Sequence, residues 1–260
     1  MLLVADVGNT ETTLGLCEGE AVVAHWRVTT EAARTPDEVH LLLDGLLRAR
    51  GMDARRVTGG AVGSVVPAVT APLAEALRRV TGAPTVIVDA HAPLGITLAV
   101  DEPLTVGADR IINTLAASRL HGVDCIVVDL GTATTYDCIT ADGVFLGGVI
   151  QPGVRTSAET LFRRTAKLAA TELSAPSKVI GTRTDECIRS GVVLGAAASV
   201  DGLVRRIKAE WPRATVPRVI ATGGLAEIVR AHATEIESVE PDLTLHGLRL
   251  AHGILTGVQF

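Results

Sequence analysis

Apolar and polar positions fall into a repeated order along this chain. An unbroken apolar run, "LLVA", stops at Asp6, and Gly8, Asn9 and Thr10 follow in a turn. Two further strand-like stretches come next, "TTLGLC" and "EGEAVVAHWRV", with Glu18-Gly19-Glu20 as the turn between them. Thr35-Pro36-Asp37-Glu38 then reads as a helix start, with Thr35 as N-cap and Glu38 three residues on. Val39, Leu42, Leu43, Leu46 and Leu47 recur behind it at helical spacing. "VTGGAVGSVV" predicts a strand with a glycine-rich exit, Pro67 to Val80 a helix, and "APTVIVDA" another strand.

The second half repeats this order. "DCIVVD" stops at Asp129, Gly131 and Thr132 turn, and "TTYDCIT" and "GVFLGGVI" follow with Ala141-Asp142-Gly143 between them. Helical patterns cover roughly Ser157 to Ala170 and Thr184 to Glu210, and "RVIAT" runs as a strand into Gly223-Gly224 with a helical pattern from Leu225. Strand–turn–strand–strand followed by helices, written twice, implies α/β layers and a cleft between two related domains. The division falls in the helical stretch from Gly107 to His121-Gly122, giving domains of residues 1–115 and 116–260.

Composition narrows the function classes. Apolar residues make up 47% and charged residues 20%, which excludes a disordered chain. The net charge of −5, with 2% aromatic residues, offers neither a phosphate-backbone footprint nor base-stacking platforms, so no nucleic-acid partner is expected. Cys17, Cys125, Cys138 and Cys187 are far apart, which argues against a zinc site or disulfide framework and fits a reducing compartment. The seven histidines show no ligand spacing. No leader pattern is visible and no apolar run approaches the ~18–20 residues that span a bilayer, so a cytoplasmic protein without a membrane partner is expected.

The repeated Asp-x-Gly-x-Thr turn carries the candidate chemistry. Glycine allows a tight turn and brings amide N–H groups close to a ligand. Successive amides with threonine hydroxyls form a concave anion site suited to phosphate. A carboxylate facing that phosphate needs a cation between them, so Asp6 and Asp129 are candidate metal holders. Tight hairpins rich in Asp and Gly have the same local composition without any ligand. No P-loop or dinucleotide fingerprint is present, so a nucleotide would be held by hairpin loops.

Two such hairpins heading duplicated domains resemble the superfamily of acetate and sugar kinases, heat-shock ATPases and actin. More specifically, "DVGNT", "HWRVTT" with "RTPDE", "PLTVGADRIIN", "DLGTATTYD", "GGVIQPG" and "VIATGGLA" resemble the type III pantothenate kinases, from Met1 to about Leu250. The resemblance implies two duplicated ribonuclease-H-like, actin-like ATPase domains with mixed sheets and an interdomain nucleotide cleft. It implies transfer of phosphate from ATP, with Mg2+, to pantothenate, the first step toward coenzyme A, in a homodimer that uses a monovalent cation, K+ or NH4+. By position, ATP contacts fall on Asp6, Val7, Gly8, Asn9, Thr10, Glu11, Thr12, Thr13 and Thr132, and the cation ligand on Asp129. Pantothenate contacts fall on Val100, Gly107, Ala108, Asp109, Arg110 and Thr184, with Asp109 as general base. On spacing alone Asp109 reads as an N-terminal aspartate offsetting a helix dipole, and Thr184 as an N-cap. Arg110 offers a guanidinium fork to pantothenate's carboxylate.

The chain departs from the family pattern in places. Glu11 stands where many relatives have Asn, "VDEP" replaces Tyr-x-Asn-Pro so that Val100 lacks a phenol, and Lys167 to Ala169 reads "KLA" in place of "KLP". Asp137 reads either as part of the cation network or as a strand-end polar residue, and Gly223-Gly224 as a turn against adenosine or a simple strand–helix turn. Two other functions remain open: another small-molecule kinase of the superfamily, and a non-catalytic transcriptional accessory protein of the Bvg accessory factor type.

Overall fold

The computed structural model describes residues 1–165, 168 and 170–258. Lys167 and Ala169 of the "KLA" departure lie outside the described residues. In chain order the elements are β1 (Leu2–Val7), β2 (Glu11–Glu18), β3 (Ala21–Thr29), α1 (Pro36–Ala49), β4 (Gly59–Ser64), α2 (Pro67–Thr81), β5 (Thr85–Val88), β6 (Thr97–Leu98) and α3 (Ala108–His121). The repeat follows as β7 (Cys125–Leu130), β8 (Ala133–Ile139), β9 (Val144–Pro152), α4 (Val154–Arg164), α5 (Thr184–Arg189), α6 (Gly195–Ala209), β10 (Arg218–Thr222), α7 (Ala226–Arg230), β11 (Ser238–Val239) and α8 (Leu243–Thr256).

Packing divides the chain into two compact units. One comprises Met1–Leu120, Gly143–Phe145 and Asp242–Phe260, the other His121–Asp142 and Leu146–Pro241. A single cut at 115/116 would separate α8 from the unit it packs in, because Leu245, Leu248 and Ala251 share a core with Leu2, Val4 and Ile112.

In the first unit the strands are ordered β3-β2-β1-β4-β5, with β1 antiparallel to β2 and parallel to β4. β1 is apolar on both faces because both are covered: Leu3, Ala5 and Val7 join one core and Leu2 and Val4 the other. The expected capping box at α1 is present, Thr35 Oγ1 accepting from the Glu38 N–H and Glu38 accepting from the Thr35 N–H. β6 runs parallel to Val144 and Phe145 in this unit.

The second unit orders its strands β9-β8-β7-β10-β11, the first unit's order repeated element for element. Its core gathers Ile126, Val128, Tyr136, Val200, Val204 and Val219. Two helices differ from the pattern reading. α4 starts earlier than Ser157, at Val154 with Gly153 as N-cap, and ends at Arg164. The helix expected from Thr184 to Glu210 runs to Ala209 but widens into a π turn at Ser190–Leu194. At 26 residues, Thr184–Ala209 has the length and composition to cross a membrane, although no single apolar run suggested it; Ala197, Val200 and Val204 on it pack in the core.

Candidate active site

The first hairpin is built by the β1–β2 register. Asp6 stands directly opposite Thr13 and beside Gly63 of β4, so these residues share one sheet face. α3 packs on that face: a Cβ on Gly63 would lie 2.1 Å from Ile112 Cδ1. Asp109 is three residues before Ile112 and therefore on the same side of α3, one turn nearer its start. The segment entering α3 passes the carboxyl ends of β1 and β4. Val65 N–H donates to the Val7 carbonyl at 3.1 Å, and a Cβ on Gly107 would lie 3.3 Å from Val65 Cγ1. The Asp6 hairpin and Asp109 thus meet at one end of the sheet.

Each residue of the first loop has a definite place. Gly8 N–H donates to the Glu11 carbonyl at 3.0 Å, closing the turn, while Asn9, Thr10 and Glu11 are exposed. Val7 and Thr12 turn their side chains away from this face. Val7 is fully buried in the core and Thr12 is 4% exposed, its hydroxyl 2.9 Å from that of Thr30. Both point away because strand alternation puts them on the face opposite Asp6 and Thr13, so they offer a ligand only their backbone.

Asp109 lies in the first turn of α3 and its Oδ1 accepts the Arg110 N–H at 2.8 Å. Burial pushes its carboxyl above the ordinary 3.8, and the Arg110 N–H and guanidinium only partly offset this. Such a group is a stronger base than a solvated aspartate. Gly107 leaves room for this carboxylate where it stands, since a Cβ there would sit 2.6 Å from Oδ1. Ala108 is buried, and the Arg110 guanidinium lies 4.9 Å from the centre of the Phe145 ring. Phe145 accepts from the Ala99 N–H at 2.9 Å, which places half-buried Val100 in the same neighbourhood.

The second hairpin repeats the geometry. Asp129 stands opposite Thr135 and beside Thr222. Gly223, at φ +92°, packs where a Cβ would lie 2.7 Å from Asp129 Oδ1, and one on Gly131 would lie 3.5 Å from the same atom. Gly223 therefore leaves beside Oδ1 a space that any side chain would fill, and Gly131 borders the same oxygen at ordinary contact distance, which makes a glycine-lined cradle. Hard oxygen donors of this kind suit K+ or Mg2+, which complete their shells with carbonyls, water and phosphate. Among the described residues no group of three or more His, Cys, Asp or Glu forms a cage of its own. Asp137 is not a strand-end residue. It is fully buried in mid-β8, opposite Val127 and on the same face as Asp129.

Thr132 is exposed at the tip, and its carbonyl accepts the Gly153 N–H at 3.1 Å and the Thr156 hydroxyl at 2.7 Å. The residues flanking Gly153, Pro152 and Val154, line a cavity of about 630 Å³ whose rim includes Thr184, Ile188 and Val192. Thr184 is exposed as the first residue of α5; the N-cap is Arg183, with no side-chain cap bond, so the capping alternative does not apply. Thr30, Thr156 and Gly153 were not singled out from the sequence. Their signal was positional: Thr30 directly follows β3, as Gly153 follows β9.

The type III pantothenate kinase family description matches residues 2–206. The chain belongs to this family. A type III pantothenate kinase of Roseiflexus castenholzii is 48% identical over 252 residues, covering 97% of this chain and 98% of that protein. The fold of this family member is shared with solved structures of much lower identity. A protein described as a Baf family transcriptional activator from Campylobacter jejuni superposes with a TM-score of 0.60 at 16% identity, covering 98% of this chain and all of that one. One described as a 2-dehydro-3-deoxygalactonokinase from Sinorhizobium meliloti gives 0.58 at 14% identity, covering 100% and 98%. At these identities the likeness is one of fold alone.

Proposed function

We propose that this pantothenate kinase family member transfers the γ-phosphoryl group of ATP, bound with Mg2+, to the primary hydroxyl of pantothenate, forming 4′-phosphopantothenate for coenzyme A synthesis. The observation that carries the reading is the placement of Asp109, a partly buried carboxyl of raised pKa, at the same sheet end as the Asp6 hairpin. Phosphoryl transfer demands alignment and charge neutralisation more than covalent chemistry, with the acceptor proton leaving late. In this reading Asp109 orients the hydroxyl and accepts its proton. The loop from Asp6 to Thr13 contributes amides and hydroxyls to the ATP phosphates, and Thr132 contributes from the second hairpin. Gly107, Ala108, Val100 and Thr184 border the acceptor, and Arg110, steadied on Phe145, pairs with its carboxylate.

Asp129 in its glycine cradle holds the monovalent cation, K+ or NH4+, which supplies positive charge beside the phosphates. The protein acts as a cytoplasmic homodimer. Ile150, Val179 and Ile180 of the second unit are exposed at 65%, 72% and 84%, apolar side chains that self-association would cover. Release of ADP with ATP, magnesium, potassium and pantothenate tests the reading, with pantothenate-free and hexose controls. ADP release should require pantothenate and fall when sodium replaces potassium. Equal release with a hexose, or none with pantothenate, would overturn it.

A further inference from the structure

The third strand of each repeat ends in donors that reach back to the hairpin loop. In the first unit Thr30 donates its N–H to the Thr10 carbonyl at 3.0 Å and its hydroxyl to the Gly8 carbonyl at 2.8 Å. A hydroxyl has one proton, so in the 2.9 Å pair between Thr12 and Thr30 the donor is Thr12. In the second unit the Gly153 N–H and the Thr156 hydroxyl converge on the Thr132 carbonyl. The residues differ, yet each loop receives one backbone and one threonine hydroxyl donor on its carbonyls. In a planar trans peptide the C=O and the following N–H point to opposite sides. Tying back the carbonyls of Gly8 and Thr132 therefore directs the amides of Asn9 and Ala133 to the other side of each loop, and removes carbonyl dipoles that would repel an anion.

We propose that Thr30 and Thr156 are positioning residues for phosphoryl transfer, each holding its loop with the carbonyls turned away from the triphosphate and the amides toward it. The inference rests on the reading of these hairpins as the ATP phosphate loops. Thr30→Val removes the hydroxyl at nearly constant volume and takes its bonds from the Gly8 carbonyl and the Thr12 hydroxyl; Thr30→Ser keeps them. Losing such a bond weakens the loop's preferred geometry by about tenfold in population.

The test measures KM for ATP and kcat at saturating pantothenate, the affinity for a non-hydrolysable ATP analogue without pantothenate by calorimetry, and Tm. Thr30→Val should raise KM and the analogue Kd by about tenfold with a smaller change in kcat, and Thr30→Ser should bring both back within about twofold of wild type. Thr156, partly exposed in the first turn of α4, gives an independent variant if Thr30→Val does not fold; Thr156→Val should raise both constants by about fivefold. Analogue affinity within twofold of wild type in the valine variants, or a loss that Thr30→Ser does not reverse, overturns the inference. A wild-type chain that binds the analogue but leaves pantothenate unphosphorylated would instead overturn the proposed acceptor and leave the clamps standing.

Discussion

Gly223→Ala tests how tightly the second hairpin is built. At φ +92° an alanine carries left-handed strain of about 1–2 kcal/mol. Its Cβ would also meet Asp129 Oδ1 at 2.7 Å and the backbone N and C of Leu130 at 2.8 Å. Leu130 is the last residue of β7, held opposite Thr134 of β8, and its backbone cannot swing aside as a flexible side chain would, so overpacking adds about 1–3 kcal/mol. The sum, about 2–5 kcal/mol, is a large share of the roughly 5–15 kcal/mol that holds a domain folded. It corresponds to a fall in Tm of about 5–15 °C. Scanning calorimetry measures this, and with Asp129 as the proposed cation ligand the potassium concentration for half-maximal activity should rise because its carboxylate is displaced. Gly202→Ala in α6 is the matched control: it has a helical backbone and open space around its Cβ, and should gain about 0.4–1 kcal/mol. A Tm for Gly223→Ala within about 2 °C of wild type would refute the steric argument.

Four further outcomes follow from the same structure. Asp109→Asn should lower kcat by about 10²–10⁴-fold while leaving nucleotide affinity by calorimetry near wild type. The acid limb of wild-type kcat/KM should lie above pH 3.8, since burial raises the Asp109 pKa and Asp109, as the proposed base, must be deprotonated to act. Asp124 is held by the Trp211 indole N–H at 3.0 Å, the Ala141 N–H at 2.8 Å and the Thr215 hydroxyl; burial opposes its ionisation, but these donors and Arg213 outweigh it and keep the pKa below 3.8. Its stabilisation is therefore present above pH 3.8 and lost as pH falls through the lower folded value, so Asp124→Asn should cost about 1–3 kcal/mol at pH 7 in urea melts and progressively less below pH 4. Light scattering should give a dimer for wild type and a monomer for Val179→Glu with Ile180→Glu, and an unchanged mass would remove that surface from the interface.

Much of the fold was legible because its signals are local. The capping box at Thr35, the glycine turns and the apolar runs ending at Asp6 and Asp129 each depend on neighbours a few residues away. The two-residue strands β6 and β11 were not legible, since neither has a pattern of its own and each exists only by pairing with a partner far along the chain. α8 escaped for a related reason. Gly247 lies on it where a Cβ would be 2.5 Å from the Ile112 carbonyl, a close approach that no periodicity announces. Val7 and Thr12 illustrate a third limit: a loop motif names consecutive residues, but strand alternation sends every second side chain to the far face.

By itself the sequence determined that two acid-tipped hairpins head two α/β repeats, and that a GADR segment opens a helix of the first. Each of those is set by short-range chemistry: apolar runs, turn residues and a first-turn aspartate. Only tertiary structure decided that Asp109 comes to the end of the sheet carrying Asp6, and that Gly223, from a distant segment, packs against Asp129. It likewise decided that Thr30 and Gly153 close their loops from the ends of third strands. The physical reason is that these contacts join residues tens of positions apart, whose approach is fixed by sheet order and helix packing and leaves no periodic trace in the chain.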